Sequence, residues 1–298
     1  GGGGIYVSGA STVITGTTIS HNRSTVDDGG GIATDYATAD VITVTNSIIS
    51  GNQAGDDGAG LKLDNAVAFV ENSQFISNTD AVDGGAIHVD YGSSVTLAGS
   101  SFALNTVTDD GGAIFFDDGA TILVVTATNF LSNTAADGGG ALYLAKDAIL
   151  ADTLFQGNQA ESRGGAINIT TASVVTVAGS TFVGNSSLSS DGGAIANIED
   201  SVLTVTDSTF TGNTALGSEM DGGAIYNGSN TDNVLVVEGS TFNGNRAFEG
   251  GAIRSRDRLH VSNSTFYNNV ATDATGGGGA LGRIHVAIAP MSRNGICG

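Results

Sequence analysis

Apolar and polar residues alternate along this chain in short runs, rarely longer than six, with clusters of Gly, Asn, Asp and Ser between them. The run at Val202–Thr206 reads Val-Leu-Thr-Val-Thr, and residues 234–237 read Val-Leu-Val-Val. β-Branched runs bounded by turn formers predict strands and tight turns. No segment carries the 3.6-residue apolar spacing that an amphipathic helix needs.

The runs repeat. Gly-Gly-Ala-Ile stands at 84–87, 111–114, 164–167, 192–195, 222–225 and 250–253, and close variants end at Ile5, Ile32, Leu61, Leu142 and Leu281. These eleven anchors recur on average every 27.6 residues. A second motif, aliphatic-x4-Phe/Ile-x2-Asn, is interleaved with the first in ten copies, from Ile14/Ile19/Asn22 through Val125/Phe130/Asn133 to Val261/Phe266/Asn269. A period near 28 holds about three short strands with their turns, and helical repeats are excluded. The expected fold is therefore all-β, a right-handed single-stranded parallel β-helix of about ten coils. Its coils stack at ~4.8 Å, and its hand follows the bias of parallel crossovers. Residues 1–281 form the repeats, and residues 282–298 an atypical C-terminal segment, a cap or a truncated end.

Stacking gives each motif position a column. Phe75, Phe102, Phe130, Phe155, Phe182, Phe210, Phe242 and Phe266 form an inward file that Ile19 and Ile49 continue. The Asn column is expected to bond coil to coil as an amide ladder. The Gly pairs supply special backbone angles and close approach between coils.

Composition narrows the function. Thirty acids against ten Lys and Arg give a net charge of −20, which argues against nucleic acid as a partner. One Cys excludes a disulfide framework. No apolar run approaches the ~20 residues of a membrane helix. Gly1 is not an initiator Met, and the opening Gly tract reads as the middle of a repeat, so the chain is expected to be a piece of a longer protein.

The paired Gly-Gly-Ala-Ile and Phe-x-x-Asn motifs resemble those of chlamydial polymorphic outer membrane proteins and related bacterial repeat proteins, over residues 1 to about 281. The resemblance implies a β-helical passenger region of a surface or secreted protein, many such relatives being adhesins exported as autotransporters. Within these 298 residues no C-terminal membrane barrel follows the repeats, and the turns are shorter and poorer in Cys than is usual in that family, so surface display is what the resemblance implies.

One column carries candidate chemistry. An acid precedes the Gly pair at Asp28, Asp57, Asp83, Asp110, Asp191, Asp221 and Glu249; Asp137 sits one residue early, and Arg163 occupies the column in its own coil. Carboxylates one coil apart repel by about 0.9 kcal/mol in water. Ca²⁺ held by these seven acids would remove that penalty; alternatively Asp simply favours the bend before Gly. Arg246, Arg254, Arg256 and Arg258 form a basic patch expected to face solvent. His21, His88, His260 and His285 share no column and no metal spacing, and no Ser/His/Asp grouping recurs. Insertions at 216–220 and 228–233 read as modest surface loops.

The expected function is thus non-enzymatic: a secreted or surface-displayed stalk or adhesin passenger at the bacterial cell surface, meeting a host or neighbouring-cell surface protein or glycan. The alternative is a polysaccharide-active β-helix, a lyase or glycoside hydrolase. The two differ in whether carboxylates and bases concentrate on one face of adjacent coils.

Overall fold

Each Gly-Gly-Ala turn delivers the chain into a short strand, and that strand finds its hydrogen-bonding partner one repeat later. The structure, a computed structural model, describes residues 2–79, 81–228, 232–273 and 281–282. Among the described residues the strands form four sheets of 11, 10, 10 and 6 strands, and there is no helix. One coil shows the plan: Ile114–Phe116 lies in the first sheet, Ile122–Thr126 in the second, Asn129–Leu131 in the third and Thr134–Ala135 in the fourth. Counterparts pair in parallel and in register, Ile87 with Ile114 and Ile114 with Leu142, Phe102 with Phe130 and Phe130 with Phe155. This is the parallel β-helix that the period predicts. The fourth, two-residue strand is a refinement that the repeat did not signal. Of the atypical segment 282–298, all but Gly282, and with it His285, lies outside the described residues.

Why the coil closes where it does follows from the Gly pair. Gly111 has φ of +67°, a left-handed backbone that costs a side-chain-bearing residue energy. A Cβ on Gly112 would run into the carbonyls of Gly140 and Thr134 in the next coil. The first glycine sets the turn and the second lets the coils touch.

The core is the stack of inward columns. From Phe75 to Phe266, consecutive ring centroids lie 4.5–5.1 Å apart with planes within 15° of parallel. Ile19 and Ile49 continue the file and are buried. The Asn column forms the expected ladder: Asn133 Nδ2 donates to Asn158 Oδ1 at 3.0 Å and to the Phe102 carbonyl at 2.9 Å. Its own Oδ1 accepts from the backbone N–H and the Nδ2 of Asn105. The amide's donors and acceptor are thus all used, which is why it tolerates complete burial. A second ladder accompanies it. Backbone N–H groups of Ser47, Ser73, Ser180 and Ser208 each donate to the Ser hydroxyl one coil on, at 3.1 Å.

Replacing Asn133 with Leu leaves the Phe102 carbonyl and the Asn105 N–H groups buried without partners, at about 1–3 kcal/mol each. The urea midpoint is expected to fall by the equivalent of at least about 3 kcal/mol, while Val174→Thr at a half-exposed site changes it by under about 0.5 kcal/mol. Equal midpoints for the two variants would show that the ladder contributes nothing.

Candidate functional site

The seven acids singled out in the sequence do lie one coil above another, and the structure gives them a role that the sequence does not advertise. The six aspartates among them each place Oδ1 where a backbone N–H of the next coil donates to it: Asp57 to Asp28 at 3.1 Å, Asp83 to Asp57 at 3.3 Å and Asp110 to Asp83 at 2.8 Å. Gly138 donates to Asp110 at 2.6 Å, Asp221 to Asp191 at 2.8 Å and Glu249 to Asp221 at 3.3 Å. The column is a third hydrogen-bonded ladder, with one carboxylate oxygen per rung committed to the backbone. The rung of Asp137 is filled by Gly138, and Arg163 is exposed where it crosses the column.

Burial perturbs the middle rungs. Desolvation pushes Asp57 up to about 7, against the pull of the Lys62 ammonium. It pushes Asp83 to about 6 against the N–H of Asp110, and Asp110 to about 7 against that of Gly138. Each rung trades its charge against the hydration it loses.

Beside the ladder runs the outer face of the first sheet. The middle residue of each strand points away from the core, and the file reads Tyr6, Ala33, Lys62, His88, Phe115, Tyr143, Asn168, Ala196, Tyr226, Arg254. Unlike the inward columns, it changes at every coil. Lys62 and His88 are only 4% exposed. The Lys62 Nζ lies 3.7 Å from Asp57 Oδ2 and 3.8 Å from both Asp64 Oδ1 and Asp90 Oδ2. His88 packs against Phe115 at 4.9 Å with the ring planes tilted by 31°, and Phe115 stacks on Tyr143 at 4.8 Å. Burial and then the Lys62 ammonium hold the His88 pKa well below its ordinary range, against a hydrogen bond to the Asp83 backbone, so the ring is neutral at pH 7.

In the sequence His88 shares no column with the other histidines and Lys62 carries no signal of its own, because neither position repeats. Aligning the strands by their anchors, with His88 directly after Ile87 and Lys62 directly after Leu61, is the signal that places both in one file. The basic patch also differs from expectation. Only 14% of the Arg254 side chain is exposed; it bonds Asp221 at 3.2 Å and Glu249 at 2.9 Å. Arg256 bonds Asp221 at 3.3 Å and sits over the Tyr226 ring at 5.6 Å. Arg254 turns inward because Asp221 is buried and needs a counter-ion, whereas Arg256 reaches the same carboxylate from an exposed position. Arg246 and Arg258 are exposed as expected.

Three acid clusters gather enough ligand atoms within 4.8 Å for a metal: Asp28/Asp56/Asp57, Asp109/Asp110/Asp137 and Asp57/Asp83/His88. Asp191, Asp221 and Glu249 fall in none of them among the described residues. Two clefts open on the first coils. One, of about 510 Å³, is lined by Tyr36, Asn65, Tyr91 and neighbouring glycines; its two tyrosines meet edge to face at 5.0 Å and are 63% and 55% exposed. The other, of about 200 Å³, is lined by Tyr6, Tyr36, Lys62 and acids including Asp28 and Asp64. The 216–220 insertion exposes Leu216, and 229–231 lie outside the described residues.

Comparison with known proteins agrees with this architecture. Residues 1–151 match the right handed beta helix region family. Residues 152–170 and 207–228 match the Chlamydia polymorphic membrane protein repeat. No curated protein and no solved structure matches significantly. No helix among the described residues is long and apolar enough to cross a membrane, which leaves a β-barrel unaddressed.

The raised rungs predict an inverted acid response. A carboxyl with pKa about 7 when folded and 3.8 when unfolded binds more protons in the native state between those values. Stability from Asp110 is therefore full below about pH 4, falls as pH rises, and is lost above about 7. Asp110→Asn keeps the acceptor for Gly138 and removes the titration. The melting temperature of the variant in EDTA-containing buffer is expected to fall less between pH 5 and pH 8 than that of the parent; parallel curves would refute the assignment.

Proposed function

Because the chain belongs to the right-handed β-helix family, we propose that it serves as a rigid, surface-displayed stalk or adhesin passenger that presents side chains to a surface protein or glycan on a host or neighbouring cell. The observation that carries this reading is the contrast between its two kinds of column. Inside, the Phe, Asn and Gly columns recur with few exceptions; outside, positions change from coil to coil, as Tyr6 to Ala33, Thr43 to Phe69 and Asn243 to Tyr267. A scaffold kept constant within and varied without is suited to display. The repeats matching the Chlamydia polymorphic membrane protein support association with a cell surface. The Tyr36–Tyr91 cleft is the contact surface best suited to a ligand, since exposed tyrosines offer an apolar face for a sugar ring or side chain and a hydroxyl at the rim.

A second reading, a polysaccharide-active β-helix, is favoured by one observation: Asp57, Asp64 and Asp90 gather around Lys62 from adjacent coils. Burial counts against it. The atoms that would have to reach a glycosidic bond lie under the turns, with Lys62 and His88 almost fully covered.

Glycan arrays and surface-protein panels probed with the whole chain test the first reading. A binder is expected whose affinity drops about tenfold or more with Tyr36→Ala or Tyr91→Ala, at unchanged circular dichroism. Binding indifferent to both tyrosines would remove the cleft from the proposal. New reducing ends or unsaturated uronates released from acidic polysaccharides would replace display with catalysis.

A further inference from the structure

Among the described residues, four buried side-chain polar atoms lack a hydrogen-bond partner, and two of them, His88 Nδ1 and Asp64 Oδ1, lie around Lys62. His88 Nδ1 faces Asp57 Oδ2 at 3.3 Å without hydrogen-bond geometry. A neutral imidazole carrying its proton on Nε2 turns a lone pair toward that carboxylate, and two electron-rich atoms do not rest so close without something positive between them. Lys62 is not that group. Its ammonium is shared among Asp57, Asp64 and Asp90 at 3.7–3.8 Å, and it leaves four carboxylates, counting Asp83, facing one cation.

We propose that Asp57, Asp83 and His88 form a binding site for one borderline divalent transition-metal ion, Zn²⁺ being the best fit. The ion takes His88 Nδ1 and one oxygen from each aspartate, and a fourth position is left to water. Tetrahedral zinc with bonds of about 2.0–2.1 Å separates neighbouring ligand atoms by about 3.3 Å, which is the His88–Asp57 separation found. The three ligand atoms lie within 4.8 Å of one another, so Asp83 closes the site by a modest side-chain movement.

The ladder decides which ion fits. Asp57 and Asp83 have each committed Oδ1 to a backbone N–H, so each has one oxygen left to give. Two oxygens and an imidazole nitrogen satisfy zinc, whereas Ca²⁺ takes 6–8 oxygens and has little use for imidazole. The same N–H groups act as the outer hydrogen bonds that fix ligating carboxylates, and Phe115 holds the imidazole plane. Lys62 retains Asp64 and Asp90 when the metal claims Asp57, which gives Asp64 Oδ1 a partner as well. Of the seven acids weighed as a Ca²⁺ column against a plain turn, this proposal takes two, on two coils, for a softer ion. This site does not depend on the display reading.

The test is calorimetric titration of the whole chain, stripped with EDTA and dialysed, with Zn²⁺, Co²⁺, Ca²⁺ and Mg²⁺ in turn. The expected result is one Zn²⁺ per chain, unaffected by millimolar Ca²⁺ or Mg²⁺, with Co²⁺ giving the visible absorption of a four-coordinate site. His88→Phe, which extends the Phe115–Tyr143 stack, should weaken Zn²⁺ at least about 100-fold, since losing only an outer partner costs about 10–100-fold. Asp83→Asn keeps the acceptor for Asp110 and should also weaken binding, so the proposal stays testable if the Phe variant misfolds. No stoichiometric Zn²⁺ binding, Zn²⁺ binding unchanged in a folded His88→Phe or Asp83→Asn chain, or Ca²⁺ binding as tight as Zn²⁺ would each overturn it. The first of these outcomes would assign a shared proton to the His88–Asp57 contact instead.

Discussion

The backbone N–H groups in the strands of one coil donate to carbonyls of the coil before or the coil after, and this axial pairing constrains everything else in the molecule. It holds the coils at a fixed spacing and in a fixed register, so each residue is stacked on its counterpart one repeat away. Stacked phenylalanines then pack face to face. Stacked asparagines complete each other's hydrogen bonds, and stacked serines support the chain between the second and third sheets. The same constraint acts on the acids. Placed above one another they would repel, but each offers an oxygen to the N–H above, and the repulsion is offset by a hydrogen bond within the same column.

The chain therefore separates two tasks. Columns that face inward must be nearly identical, since a residue of another size would break contact with the coils above and below. Columns that face outward have no such restriction, and the file from Tyr6 to Arg254 uses that freedom. Where outward positions come under cover, as at Lys62, His88 and Arg254, the covering acids of the ladder supply the countercharge. Lys62 and Arg254 thus lie next to the ladder, while Asp40, buried at the start of a second-sheet strand, accepts from the backbone N–H of Ala10 instead.

How much of this can be read in the sequence depends on repetition. The Phe and Asn columns appear ten times over and reveal the coil, the core and the amide ladder directly. The acids also reveal their column, but the letters do not show that Oδ1 is bound to the backbone, and so the choice between metal ladder and simple turn stays open at that level. His88 and Lys62 each occur once at their position, next to acids from another column. Their meeting depends on how far the turn before the Gly pair leans over the first sheet, which no spacing encodes. Arg254 and Arg256 look like a solvated patch because alternation tells which side of a strand they take, and not that a buried Asp221 lies there.

The direction of the inter-coil bonds also decides how such a rod answers force. When its two ends are pulled apart, the load falls straight along the hydrogen bonds between terminal coils, a few at a time, and is not shared across the whole sheet as it is in a sheared sandwich. Coils should peel off singly, each paying out the slack of one repeat, on the order of 90 Å at ~3.3 Å per residue. A rod built this way yields in small steps, and the terminal coils absorb a pull before the remaining coils feel it.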